Sequence, residues 1–437
     1  MSESHAGIVL PKSIEDIDAA FMTKVLRQSG EISATNEVVS QSEQGVGMTA
    51  GYFSAIKKVK CTYKEATDAP NSFVVKTLPS FDLLPRENIR AMFLKDMKGY
   101  QVAQFYAHPK VYLAACDTLS DRFVLVLEDA DTFAEHKVHE RELNMDEVMQ
   151  MLPGLVEVAV AWEGCHEGER AKQLAESGVD FWASDANIAI YKSVMPGGAR
   201  IADKVTTIEG SSAIGPTWDR YLDGTGIFEM FTKKIDAFFR QARPEHGATC
   251  TLCHGDLRGD NIFFCDRNAT YPHGWLCIDF QLMFRGPVPS DLAYLMSTGS
   301  VLPEVYTGDN TKMVLRSFYD QFMARTQRYK DYTYEKCELE YAMMSTVRLV
   351  YSVGMGAALW QASAFRNEQA LRVEIGGKGA TEADLSPEEL RQRMWWRKVF
   401  VNLRENLKTF DQYRYLQSLP ENLEGLGAWV DLPDHLK

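Results

Sequence analysis

No stretch of the chain approaches the roughly 20 consecutive apolar residues that a membrane-spanning helix requires, and Met1 to Lys12 is polar, without the apolar core of a secretory leader. These absences exclude a helical membrane protein and set the expectation of a cytosolic one. Positive charge is in short supply: 47 Lys and Arg stand against 60 Asp and Glu, a net charge of −13 with no long basic block. Nucleic acid and anionic membrane surfaces are therefore poor partners. Cysteine is sparse and scattered, eight in 437 residues, which points to free thiols rather than a disulfide framework. No internal repeat is visible. What remains is ordinary globular composition, 45% hydrophobic and 24% charged, on a chain long enough for more than one structural unit.

The texture changes along the chain. Ser13 with Asp16 forms a capping-box pattern, and Ile14, Ile17, Phe21, Val25 and Leu26 follow at helical spacing. Short β-type runs come next, at 32–39, 52–63 and 72–78, with Gly45, Gly47 and Gly51 between the first two. Residues 85–106 read as helix, and the run FVLVL at 123–127 as a strand ending at Glu128 and Asp129. A boundary is expected after Ala130, giving a helical segment at 1–30, a small antiparallel-sheet lobe at 31–130 and a larger, mainly helical lobe at 131–437. Helices are expected at 145–166 and 218–243, short strands around 251–265 and 275–281, and helices from Pro289 to about Tyr415. An exposed loop at 376–385 should precede a helix restarting at Ser386, Pro387 and Glu389.

The chemistry concentrates in one segment. His254-Gly255-Asp256 is followed five residues after the aspartate by Asn261, and then by Asp279 at the end of the next apolar run. Phosphoryl transfer needs a carboxylate to orient or deprotonate the attacking hydroxyl, plus an amide oxygen and a second carboxylate for the magnesium that bridges the phosphates. Asp256, Asn261 and Asp279 supply these groups. Each alone has a bland explanation as a turn, a cap or a strand end; their order and spacing carry the signal. Upstream, Gly45 and Gly47 suit a loop folding over phosphates, and Lys76 ends an apolar strand where it would reach them. A helix acid should pair with Lys76, either Asp96 or Glu87, with Asp96 preferred. Glu128 and Ala130 fall where backbone groups would read an adenine edge.

In this order the residues resemble the choline-kinase and aminoglycoside-phosphotransferase branch of the protein-kinase-like fold, where HGD-x-x-x-x-N takes the place of HRD. HGDLRGDNIFF at 254–264 and IDFQLMFRGPVPSDLAYLM at 278–296 are similar to the ecdysteroid kinase-like (CHK kinase-like) family, which carries DFQ at this point. The resemblance spans roughly residues 40–300. It implies a two-lobed α+β fold and transfer of phosphate from ATP, with Mg2+, to a hydroxylated small molecule: a steroid alcohol, amino alcohol, sugar or other natural product. Asp256 would be the base, Asn261 and Asp279 the metal ligands, and Lys76 the phosphate contact. His254 and Asp291 would brace the catalytic loop. Arg258-Gly259-Asp260 departs from the family pattern and puts acceptor preference in question. The unsettled helix acid leaves an inert nucleotide-binding pseudokinase as the alternative.

Two other patterns compete. Cys250-Thr251-Leu252-Cys253-His254 matches a haem-attachment motif, and Cys265 and Cys277 would extend it to four zinc thiolates. Neither has a use for Gly255-Asp256 or for DFQ. Trp395, Trp396 and Met343, Met344 and Met355 fit either an acceptor wall or plain core.

Overall fold

The unbroken apolar run Phe123–Leu127 is buried throughout, at 3% exposure or less, because the sheet that holds it is covered on both faces. The computed structural model describes residues 7–44, 54–79, 86–136, 142–189, 192, 227–350, 402, 405–406, 409–410, 416–417 and 419. The sheet comprises β1 (Val38–Gln44), β2 (Ala55–Tyr63), β3 (Ser72–Thr77), β4 (Val111–Asp117) and β5 (Arg122–Glu128). It is antiparallel throughout, in the order β1-β2-β3-β5-β4. Successive strand side chains point to opposite faces. On one face α1 (Ala19–Gln28) packs Phe21, Met22, Val25 and Leu26 with Val59, Phe73, Val75, Val124 and Val126. On the other, Phe93 of α2 (Arg86–Gly99) meets Phe123 edge-on with ring centres 5.5 Å apart.

Several boundaries differ from the sequence expectation, each for a local reason. The first helix starts at Ala19. Asp16 accepts the N–H groups of Lys12 and Ser13, at 2.8 and 3.3 Å, and ends a single 3-10 turn; Asp18 then caps α1 through the Phe21 N–H at 2.7 Å. Pairing in β1 begins at Val38, since Asn36 closes a turn on the Ser33 carbonyl. Helix α2 stops at Gly99, and β4 forms where no strand was expected. Gly45, Gly47 and Gly51 lie outside the described residues.

The chain divides into two compact units: Met1–Lys137 with Glu176–Gly178 and Asp260–Met283, and Val138–Ala175 with Val179–Gly259 and Phe284–Lys437. The first therefore includes a hairpin from far along the chain, in which β8 (Ile262–Phe264) pairs with β9 (Trp275–Cys277) and with the short β6 (Glu135–His136).

The second unit is mainly helical. Helix α3 (Met145–Ala161) is set by a reciprocal cap, Asn144 accepting the Glu147 N–H at 3.0 Å and Glu147 the Asn144 N–H at 2.9 Å. Then come α4 (Gly168–Glu176), absent from the sequence expectation, and α5 (Ile227–Gln241). Strand β7 (Thr251–Cys253) pairs antiparallel with β10 (Phe284–Gly286). Beyond it are α6 (Ser290–Met296), α7 (Pro303–Tyr306), α8 (Asn310–Met323) and α9 (Tyr334–Val350); α9 packs on α6, and α3 on α8. Met343 and Met344 are buried in α9. Met355, Trp395, Trp396, the loop at 376–385 and the restart at Ser386 lie outside the described residues. Among the described residues no helix is long and apolar enough to cross a membrane.

Candidate functional site

In the first unit the site is built around a buried lysine. Lys76 sits on β3 with Ile56 and Leu125 as its neighbours across the sheet. Its Nζ lies 2.9 Å from Oδ2 of Asp96 on α2 and 3.0 Å from Oδ1 of Asp279. Burial by itself would depress the ammonium, but Asp279 and Asp96 outweigh it and hold the group well above the usual lysine range. Of the two acids considered from sequence, Asp96 is the one against Lys76, while Glu87 is exposed in the first turn of α2.

Backbone geometry brings Asp279 there. Its φ and ψ of 72° and 67° are left-handed, a conformation that Asp and Asn tolerate better than most residues. Its N–H donates to the Tyr100 hydroxyl at 3.2 Å, and the next N–H, of Phe280, donates to Asp96 Oδ1 at 2.8 Å. The Phe280 ring packs edge-on against Tyr100, 4.8 Å between centres. Gly99 makes this approach possible, since a Cβ there would fall 2.2 Å from Phe280 Cβ. Gln281, flagged in the sequence only as part of DFQ, donates from Nε2 to Asp279 Oδ2 at 3.1 Å.

The β8–β9 hairpin sets Asn261 beside this turn. Ile262 pairs with Cys277, and the Ile278 N–H donates to the Asn261 carbonyl at 3.0 Å, so Asn261 and Asp279 share one hairpin end. Their donors, an amide oxygen and a carboxylate, are hard oxygen ligands of the kind magnesium takes. Among the described residues no group of three His, Cys, Asp or Glu is arranged to hold a metal. At the end of β5, the Glu128 N–H goes to the Lys110 carbonyl at 2.8 Å, and the Ala130 carbonyl accepts from Phe133 and Ala134.

In the second unit the segment that begins at His254 hangs on one carboxylate. Asp291, in the first turn of α6, accepts the buried N–H groups of His254 at 2.7 Å and Gly255 at 3.0 Å, one on each oxygen. Gly255 has φ of 82°, where a side chain would be strained. The loop then folds so that the Asp256 N–H donates to His254 Nδ1 at 3.2 Å. Asp256 Oδ1 accepts from the Tyr294 hydroxyl and lies 3.5 Å from Arg258 Nε. Gly259 donates to Ser300 Oγ at 2.8 Å. Upstream, Glu340 of α9 accepts the Thr249 N–H at 2.7 Å, the Thr249 hydroxyl at 2.6 Å and the Tyr332 hydroxyl at 2.7 Å, fixing the approach to β7. The chain passes between the units at Gly259 and Asp260.

Tyr100, Tyr294 and Glu340 went unsingled in the sequence, because no local pattern links them to residues dozens of positions away. The cysteines also differ from their motif: Cys250 Sγ lies 3.7 Å from Cys165 Sγ, a residue outside the CxxCH segment, and all eight are free thiols.

A third-strand lysine held by a carboxylate of the following helix, beside a hairpin carrying Asn and Asp, is the arrangement of the protein-kinase-like fold. The model of the ecdysteroid kinase-like family matches residues 49–332. No curated protein matches the chain. Among solved structures, a microcompartment-associated aminopropanol kinase is similar at 12% identity and TM-score 0.43, over 87% of this chain and 94% of its own. The GDP complex of wild-type aminoglycoside 2'-phosphotransferase-IIIa gives 12% and 0.39, over 79% and 98%. A choline kinase from Streptococcus pneumoniae gives 14% and 0.35, over 86% and 98%.

Proposed function

The chain belongs to the ecdysteroid kinase-like family, and from that premise we propose that it transfers the γ-phosphoryl group of ATP, with Mg2+, to a hydroxyl of a small-molecule metabolite. The observation that carries this reading is Lys76 held between Asp96 and Asp279, a cation fixed where nucleotide phosphates are clamped in this fold. Lys76 takes the α and β phosphates, and Gly45 and Gly47 contribute to nucleotide binding. The Glu128 carbonyl and the Ala130 N–H read the adenine edge. Asn261 and Asp279 would hold Mg2+, which when bound would supply positive charge against the phosphates. Asp256 orients the acceptor hydroxyl and takes its proton as the new O–Pγ bond forms and the bond from Pγ to ADP breaks. His254 and Asp291 hold the loop in shape for this. Placement and electrostatics supply the rate enhancement.

Thermal unfolding with ATP, Mg2+ and both together tests the nucleotide site, because a ligand bound only by the native state raises its stability. The expected result is a shift that requires both, retained in Asp256→Ala and reduced in Asp279→Ala. Transfer from radiolabelled ATP to a panel of alcohols should be lost in Asp256→Ala. Absence of any shift at saturating nucleotide would overturn the reading; a shift with no transfer to any alcohol would favour the inert nucleotide-binding alternative.

A further inference from the structure

Asp256 is held from outside its own loop. Tyr294 follows Asp291 by three residues on α6, so one helical turn serves the segment twice: Asp291 accepts its backbone N–H groups, and Tyr294 donates its hydroxyl to the Asp256 carboxylate. The Tyr294 ring is itself covered. The guanidinium of Arg348, on α9, lies 4.1 Å from the ring centre, and both Arg348 and Asp256 are only 6% exposed. Arg258 approaches the same oxygen, Oδ1, from within the loop.

A carboxylate that turns about its Cβ–Cγ bond presents its lone pairs in different directions, and a base works only when they face the proton to be removed. A donor fixed to Oδ1 selects one rotation. Resting on the assignment of Asp256 as the base, we propose that Tyr294 is a positioning residue for phosphoryl transfer: its hydroxyl sets the rotation of the Asp256 carboxylate, and Arg348, stacked on the ring, fixes the hydroxyl in turn. Tyr294 keeps its own proton. The proton of the acceptor hydroxyl passes to Asp256, the acceptor oxygen bonds to Pγ, and ADP departs with the electron pair of the broken bond.

The test compares the full-length wild type with Tyr294→Phe, Tyr294→His and Arg348→Met, alone and in an Asp256→Asn background. Kinetics use whichever alcohol the wild type phosphorylates among a polyhydroxylated sterol, choline, kanamycin and glycerol, and crystal structures report the Asp256 rotamer. Tyr294→Phe should lower kcat about tenfold while leaving KM for ATP unchanged, with the carboxylate turned away from its wild-type direction. Tyr294→His, which keeps a ring donor, should recover part of the rate, and in the Asp256→Asn background Tyr294→Phe should cost nothing more. An unmoved carboxylate with an unchanged kcat would overturn the proposal, as would an equal loss in the Asp256→Asn background. Should Tyr294→Phe fail to fold, Arg348→Met must show the same split between kcat and KM in weaker form, and its absence would count equally against the proposal. If the wild type phosphorylates none of the four alcohols and shows no thermal shift with ATP and Mg2+, the kinase reading is what has failed, and the Asp256 rotamer in Tyr294→Phe still decides the contact: a turned carboxylate upholds it and an unmoved one overturns it.

Discussion

Asp96 accepts the backbone N–H of Phe280 through Oδ1 at 2.8 Å while its other oxygen holds Lys76 at 2.9 Å. One carboxylate thus ties α2, β3 and the turn after β9 to a common point. With Asp279 Oδ1 also on Lys76, the buried cluster has one cation for two carboxylates, and each member depends on the other two.

Removing the cation should show that dependence. Lys76→Met leaves Asp96 and Asp279 facing each other without compensation and should cost about 3–5 kcal/mol of stability. Lys76→Met with Asp96→Asn should recover part of the loss, because one of the stranded charges is gone. Urea unfolding of the two single variants and the double one measures this. Strictly additive costs would mean the three groups are not coupled.

Gly99 offers a purely steric probe of the same turn. In Gly99→Ala the added methyl meets Phe280, and the overpacking should cost about 1–3 kcal/mol. Because Phe280 follows Asp279 directly, nucleotide-induced stabilisation should fall as well. Wild-type melting with a full nucleotide response would show that the turn moves aside freely.

Asp291→Ala strips the acceptor from two buried N–H groups, of His254 and Gly255. An orphaned buried donor costs about 1–3 kcal/mol, so a large loss in chemical denaturation is expected, together with a fall in transfer rate. Asp291→Asn, which keeps one oxygen acceptor, should lie between Asp291→Ala and wild type. Equal stability of all three would contradict the bracing role.

Glu340 gives a pH signature. Burial, the largest influence, pushes its carboxyl above the usual 4.5, against the bonds from Thr249 and Tyr332. The folded chain therefore holds this proton more tightly than the unfolded one. That contribution to stability is full below about pH 4.5 and is lost as pH rises through the folded-state pKa. Glu340→Gln carries no such proton, so the stability difference between wild type and Glu340→Gln should shift against the wild type as pH rises from 4 upward. A difference independent of pH would rule the linkage out.

The parts of the candidate site that were legible in the sequence are those whose members sit close along the chain. Asp256, Asn261 and Asp279 are separated by one loop and one hairpin, so their order survives as a spacing. Lys76 was visible because an apolar strand ends in a charge. Asp96 was harder to separate from Glu87, since both lie on one helix and only packing decides which is buried. Tyr100 in the first unit, and Tyr294, Arg348 and Glu340 in the second, meet their partners through contacts between distant elements of the same unit, which no local period records. The same division runs through the fold: β5 announced itself by an apolar run covered on both sides, whereas β4, with Ala114, Ala115 and Asp117, has weak strand character and forms by pairing with β5. The first α-helix was placed too early because the Ser13–Asp16 capping box closes only a single 3-10 turn, and Asp18 then starts α1.

The left-handed backbone at Asp279 separates two requirements that coincide at most reactive positions. Asn and Gly accept that conformation readily; β-branched and bulky residues do not. In a saturation library at this codon, selection for folded protein alone would enrich Asp, Asn and Gly, whereas selection for phosphoryl transfer would leave Asp by itself. The gap between those two enrichment profiles would read out, at one position, which constraint belongs to the polypeptide's shape and which to its chemistry.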